Sequence, residues 1–410
     1  MKSSSASPSI TTHASSAAKS TTRASTRLMS IDALRGLVIV FMLLDHVRET
    51  FFLHAQVLDP MVVDETTPDL FFSRMLSHVC APVFVFLTGL SAYLYASKPG
   101  NGRAAVSGFL FKRGLFLVLL EVTLVNFAWT FQFPPSTVYL QVIWAIGLSM
   151  IALSALVWLP RAAVAAIGIA IVAGHNLLDG VHFPPGHLLN VPWAILHDRG
   201  WIEAADTLRL RTSYPLLPWI GVIALGYALG PLFGAKVKAE QRKRTLLLGG
   251  FALILGFVAL RAINVYGDAP WTVHQSALST LMSFFNITKY PPSLLFIMLT
   301  LGIGALLLRW FEQLQERAQG SGTLGWPIAQ LVTFGAAPMF FYLLHLYVLK
   351  VLYLGAVGVW GANQGEYFGF SAMWMVWVTT IVLAVALYYP VRAFASFKAR
   401  RRDIAWLKYL

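Results

Sequence analysis

Apolar residues dominate this chain in long unbroken stretches, at roughly 32–53, 72–97, 109–131, 138–160, 162–178, 214–233, 245–263, 291–311, 328–352 and 370–393. At ~1.5 Å of rise per residue, a helix of such length crosses the ~30 Å hydrocarbon core of a bilayer. None of these stretches alternates apolar and polar residues with the period of two that a barrel strand requires, so a transmembrane β-barrel is excluded. The pattern predicts an all-α fold: a polytopic membrane helical bundle of about ten transmembrane helices. Polar segments flank the bundle. Residues 1–29 are Ser, Thr and Ala with scattered Lys2, Lys19, Arg23 and Arg27, and read as a disordered basic cytoplasmic tail without a signal peptide. Residues 30–395 form the membrane-embedded domain, and residues 396–410 a basic cytoplasmic C-terminal tail.

The exceptions to the apolar pattern gather between Ser30 and Ser91. His46 lies inside the first stretch and His78 inside the second, and the segment joining them adds His54, Asp59, Asp64, Glu65 and Asp69. Ionisable groups inside a membrane span are costly, and they face protein or a water-filled cavity where they act. If the first helix starts from the cytoplasm near Asp32, His46 is ~21 Å along it, while His78 is ~9 Å below the outer surface on the returning helix. The two imidazoles then share a level in the outer third of the membrane, with His54 and Asp69 able to fold back towards it. An imidazole titrates near neutrality and suits removal of a proton from a hydroxyl or amine. Asp45 precedes His46 directly, but adjacent helical residues do not share a face. At the other end of the same helix, Asp32 and Arg35 stand one turn apart; Arg35 either binds a donor phosphate or pairs with Asp32. Lys112 and Arg113 add positive charge at that level, and Glu121 is a carboxylate deep in the third stretch, serving as a structural lock or lining a tunnel. His345, beside Tyr342 in the ninth stretch, falls at the level of His46, where a lone histidine is more often a packing residue.

Composition agrees with this picture. Of the 410 residues, 57% are hydrophobic and 12% charged, and the mean hydropathy is +0.66; soluble domains carry about 25% charged residues. The net charge of +13 therefore marks cytoplasmic loops and not a nucleic-acid partner. With the N-terminus inside, the greater part of the Lys and Arg residues falls on the cytoplasmic side, notably in 98–113, 236–244 and 392–408. Both termini are then cytoplasmic and the protein sits in the cell (inner) membrane among lipid. One cysteine, Cys80, excludes an intrachain disulfide, and no metal is expected. On the outer side, segment 179–213 carries His182, His187, His197 and Asp198, and segment 264–290 carries Asn264, Trp271, His274 and Lys289. These suit a sugar-like acceptor or simply anchor the interface.

The stretches RLMSIDALRGLVIVFMLLDHVRETFF, SRMLSHVCAPVFVFLTGLSA, YLQVIWAIGLSMI, YPLLPWIGVIALGYALG, ITKYPPSLLFIMLTLG and FGAAPMFFYLLHLYVLK resemble, together and in order, the catalytic domain of heparan-α-glucosaminide N-acetyltransferases and their bacterial membrane relatives. The resemblance implies a transmembrane acyltransferase-like fold using cytoplasmic acetyl-CoA as donor. The acceptor it implies is an amino sugar or envelope glycan on the outer side. Its catalytic histidine sits in an aromatic stretch followed by His-Ala, matched here by Phe51, Phe52, Leu53, His54 and Ala55. Membrane O-acyltransferases of envelope glycans, a more distant group, carry Asp-Gly-Leu-Arg and then a histidine in the first helix; Asp32, Ala33, Leu34, Arg35 and His46 match that spacing. The expected catalytic set is thus His46, His54, His78 and Asp69, with Asp32, Arg35, Lys112 and Arg113 at the acetyl-CoA. Both His46 and His54 stay open as the base, and a homo-oligomer is compatible with the apolar helix faces. A proton-coupled small-solute transporter is the alternative, disfavoured by the absence of an internal repeat.

Overall fold

The computed structural model describes residues 29–321, 325–401 and 403–409, so the expected tail at 1–29 lies almost wholly outside the described residues. The chain opens with α1 (Met29–Phe51), α2 (Pro68–Ser77), α3 (Cys80–Ala96) and α4 (Arg103–Leu120), the last running through a π turn at Glu121–Val125 into α5 (Asn126–Thr130). Next come β1 (Thr137–Leu140), α6 (Val142–Leu156), α7 (Arg161–Gly174), α8 (Asn190–Leu196), β2 (Trp201–Ala205), β3 (Leu208–Thr212) and α9 (Leu217–Leu229). The remainder is α10 (Ala239–Ile263), α11 (Ala277–Phe285), α12 (Leu294–Ser321), α13 (Trp326–Ala336), α14 (Pro338–Trp360) and α15 (Met373–Arg400).

Among the described residues, six helical segments are long and apolar enough to cross a membrane: Pro68–Ala96, Arg161–Leu178, Ala239–Ile263, Leu294–Ala318, Pro338–Trp360 and Met373–Arg400. Val142–Leu156, Leu217–Phe233 and Pro327–Ala336 are apolar but shorter. Helix α1 spans 23 residues yet carries Asp32, Arg35, Asp45, Arg48 and Glu49. It can do so because it is enclosed by protein, touching α2, α3, α12, α13, α14 and α15, so its charges meet side chains and not lipid tails.

Four features depart from the expected pattern. The ninth stretch, expected as one helix over 328–352, is two: α13 ends at Ala336 and α14 begins at Pro338. Proline lacks an N–H and disfavours helical geometry in the residue before it, and Ala337 accordingly has φ −136° and ψ 57°. The second stretch breaks at His78 and Val79, between α2 and α3; Pro82 has no N–H to bond the His78 carbonyl four residues back. The fold is also not wholly helical. Strands β1, β3 and β2 form a three-stranded sheet, β1 parallel and β2 antiparallel to β3, which takes residues 138–140 out of the expected fourth helix, 138–160. Finally, α15 runs to Arg400, past the expected boundary at 395, and a 3₁₀ turn at Ala405–Tyr409 folds back so that the Tyr409 ring stacks on Phe109.

The central crossing is between α1 and α13, and it depends on glycine. A Cβ on Gly36 would overlap the Leu331 carbonyl, and one on Gly335 would overlap the Asp32 carbonyl. The two backbones touch where no side chain fits, as small residues permit in membrane helix pairs. Gly335→Val is expected to lower stability by at least the ~1–3 kcal/mol of an overpacked core. Thermal unfolding of the detergent-purified variant measures this, and an unchanged melting temperature would contradict the close crossing.

Candidate functional site

A cavity of about 1530 Å³ follows α1 along most of its length, from Ile31, Asp32 and Arg35 to Asp45 and His46. One end is cationic: Arg35, Lys98, Arg113, Arg242, Lys398 and Arg401 all line it. Arg35 donates to Asp32 (3.3 Å) and to the Ser91 hydroxyl (2.5 Å), and Arg242 pairs with Glu312 at 2.6 Å. Arg113 lies over the Phe109 ring and its buried Nε makes no hydrogen bond. The throat is apolar, with Phe84, Leu117, Ile146, Met150 and Met339. Asp45, His46, Tyr214, Lys289 and Tyr342 line the far end.

There His46 meets His345. The rings stack with centroids 4.9 Å apart and planes within 9°, and His46 Nδ1 lies 2.6 Å from His345 Nε2. His345 Nδ1 lies 2.8 Å from the Phe341 carbonyl. A carbonyl only accepts, so His345 Nδ1 donates to it, and the Nε2 of a neutral His345 must then accept from His46 Nδ1–H. That assignment of protons leaves His46 Nε2 with its lone pair. Trp129 and Tyr342 stand edge-on to the His46 ring, at 5.2 Å and 6.0 Å. The arrangement is that of a general base oriented by a second group, which is in turn anchored to the backbone.

Beside this pair runs a buried ionic cluster. Asp45 accepts from Arg48 at 2.9 Å and faces Lys289 Nζ at 3.6 Å, and Arg48 also bonds Glu49 at 3.0 Å. Asp59 accepts from the Lys289 backbone N–H at 3.1 Å and faces Arg74 at 3.9 Å. Acids and bases balance, as buried charges must if each is to be compensated. In the loop before α12, burial opposes the charge on Lys289, but the Tyr290 oxygen and the Asp45 carboxylate outweigh it and hold the ammonium above the usual lysine range. Burial pushes the Asp59 carboxyl up, against the pull of Arg74 and Lys289.

The expected site residues divide. Asp32, Arg35, Arg113 and His46 line the cavity. Lys112 is exposed and, one residue round the helix from Arg113, is not among the lining residues. His78 is 2% exposed at the α2–α3 break, packed on Phe296 with both nitrogens unbonded and off the cavity wall. Asp69 is exposed in the first turn of α2, accepting from the Leu70 N–H at 2.9 Å. Glu121 is a lock: its Oε2 accepts from the Trp144 backbone N–H at 2.9 Å and so caps the start of α6. The π turn that begins at Glu121 aims it there.

The sequence matches the family described as heparan-alpha-glucosaminide N-acetyltransferase, catalytic, over residues 27–266, more than half of the 410 residues. The chain belongs to that family. A comparison with curated proteins returned no match. Membership in the heparan-alpha-glucosaminide N-acetyltransferase catalytic family makes this a multi-pass membrane acyltransferase in general terms. The matched region contains α1 and the cationic residues Arg35, Lys98, Arg113 and Arg242, whereas Lys289 and His345 lie beyond it. His54, the base suggested by the aromatic-His-Ala stretch, sits in a 3₁₀ turn after α1. Its ring packs on Phe52 and beside Gly369, and it is not among the residues lining the cavity.

Proposed function

We propose that the protein transfers an acetyl group from acetyl-CoA, bound at the cationic mouth, to an amino sugar or envelope glycan reaching the His46 end. One observation carries this reading: a single cavity joins a cluster of arginines and lysines to a tautomer-locked histidine pair. Arg35 and Arg113 suit the CoA phosphates, and the apolar throat suits the pantetheine arm. His46 Nε2 takes the proton from the attacking amine or hydroxyl as the new C–N or C–O bond forms. The thioester C–S bond breaks, CoA leaves as thiolate, and the proton passes from His46 to it or to solvent. His345 holds His46 in the required tautomer, and Lys289 places positive charge near the carbonyl oxygen as it becomes an oxyanion.

For topology, α1, α2–α3, α4–α5, α6, α7, α9, α10, α12, α14 and α15 serve as ten crossings, with both termini cytoplasmic in the inner membrane. Helix α13 fills the gap beside α1. The test uses purified protein, acetyl-CoA labelled in the acetyl group, and glucosamine. Label is expected in the acceptor, with release of free CoA. His54→Ala is expected to keep most of the rate. Absence of CoA binding, with pH-gradient-driven solute uptake in proteoliposomes instead, would replace this reading with a transporter.

A further inference from the structure

Near the His46 end of the cavity, but separate from it, lies a second cluster of ligating side chains. Tyr290 links the two regions: its hydroxyl bonds that of Tyr214 at 3.2 Å, Tyr214 lines the large cavity, and Tyr290 lines a second cleft of about 540 Å³. That cleft is also lined by Asn176, Asp179, His197 and Asp198. His175 and Asp179 lie one helical turn apart where α7 tightens into a 3₁₀ turn over His175–Leu178, and His197 caps the end of α8.

We propose that His175, Asp179 and His197 form a binding site for a divalent cation of the zinc class, with a further coordination position open to the cleft. One ligand atom from each of the three lies within 4.8 Å of the others, and His197 Nε2 stands 3.4 Å from Asp179 Oδ1. Zinc–ligand bonds of about 2.0–2.2 Å in a tetrahedral site put neighbouring ligand atoms roughly 3.3 Å apart. The His197–Asp179 edge therefore already has the right length, and a small swing of His175 closes the set. Two imidazoles and a carboxylate, leaving one open position, are the donor set of a catalytic or exchangeable zinc site.

Two further observations point to a ligand. His175 is 2% exposed, yet neither of its ring nitrogens has a hydrogen bond of normal geometry. A buried polar group without a partner is rare. Asp179 is also backed on its far oxygen by an orienting partner, as metal ligands characteristically are, and a carboxylate stands near the far nitrogen of His197. Asn176 Nδ2 donates to Asp179 Oδ2 at 2.9 Å, leaving Oδ1 for the metal, and Asn176 is itself fixed by accepting the Leu294 N–H at 2.9 Å. Asp198 Oδ1 faces His197 Nδ1 at 3.9 Å, and the Pro292 carbonyl stands beside the His175 ring. Without an ion, His197 Nε2 donates to the His175 carbonyl at 3.0 Å. Metal binding displaces that proton and favours the Nδ1–H tautomer, which Asp198 is placed to accept. The ion would tie the end of α7 to the end of α8 and present a Lewis-acidic position to whatever occupies the cleft.

The experiment uses full-length, tag-free protein in detergent, stripped with a chelator and titrated with Zn²⁺ alone, with uptake read by equilibrium dialysis and elemental analysis. Uptake of about one Zn²⁺ per chain is expected, and Co²⁺ in its place should give the visible absorption of a four- or five-coordinate nitrogen–oxygen site. His197→Gln keeps an N–H donor for the His175 carbonyl but removes the imidazole; it is expected to weaken Zn²⁺ binding at least tenfold, as is His175→Gln. Failure of the unaltered protein to take up stoichiometric Zn²⁺ overturns the proposal, whether or not the variants fold. Zn²⁺ binding undiminished in a folded His197→Gln chain does so as well.

Discussion

A His46→Gln variant is expected to transfer acetyl groups roughly 10²–10⁴-fold more slowly, the range that a positioned general base contributes, while binding CoA as before. Glutamine is chosen because its amide N–H can still donate to His345 Nε2, the 2.6 Å contact of the native pair. The amide group also fills part of the space between His345, Trp129 and Tyr342 that the imidazole ring occupies. What disappears is the nitrogen lone pair. Single-turnover transfer of labelled acetyl, measured beside CoA binding on the same preparation, separates loss of chemistry from loss of fold. His345→Phe gives a related but smaller effect, since it removes orientation and charge sharing but leaves the base. A His46→Gln enzyme within tenfold of the native rate would take His46 out of the base role and return the choice to His54.

The second large effect concerns the donor. Arg113→Ala is expected to weaken CoA binding by roughly 10–100-fold, since a hydrogen bond to a charged group is worth ~1.5–3 kcal/mol and ~1.4 kcal/mol is tenfold in affinity. Arg113 lines the cavity and its buried Nε makes no hydrogen bond among the described residues, so a phosphate has a donor available. At saturating acetyl-CoA the rate should stay close to native, because Arg113, on α4, lines the cationic end of the cavity and not the end that holds His46. Raising the salt concentration should weaken the native protein more than the variant. Lys112→Ala, one position along but exposed and off the cavity wall, is the control and should bind CoA normally. Equal weakening by both variants would show a diffuse surface attraction and not a shaped donor site.

These two experiments probe residues that differ in how visible they are in the sequence. His46 announces itself as an ionisable group in an apolar stretch, and the length of α1 sets it a calculable distance from Arg35. Its partner does not. His345 lies 299 residues away, and taken alone it resembles a packing histidine. Similarly, Glu121 stands out as a buried acid, but only the π turn and the start of α6 reveal that it bonds a backbone amide. His78 and Asp69 carry the right chemistry by type. The break at His78 and Val79 buries the first against Phe296, and the first turn of α2 turns the second to the surface.

The sequence by itself determines a helical membrane protein, the approximate places of its apolar stretches along the chain, its family, and the two poles of α1, because hydrocarbon thickness and helix rise translate directly into residue counts. Tertiary structure decides which charges face one cavity. It pairs His46 with His345, seats Lys289 against Asp45, admits Arg113 and turns Lys112 away, and draws His175, Asp179 and His197 together. Periodicity reports the face of a helix but not its neighbour, and in a bundle the neighbour is set by backbone contacts such as Gly36 on Leu331 and Gly335 on Asp32. Such contacts join positions some 300 residues apart, and no local pattern in the chain encodes them.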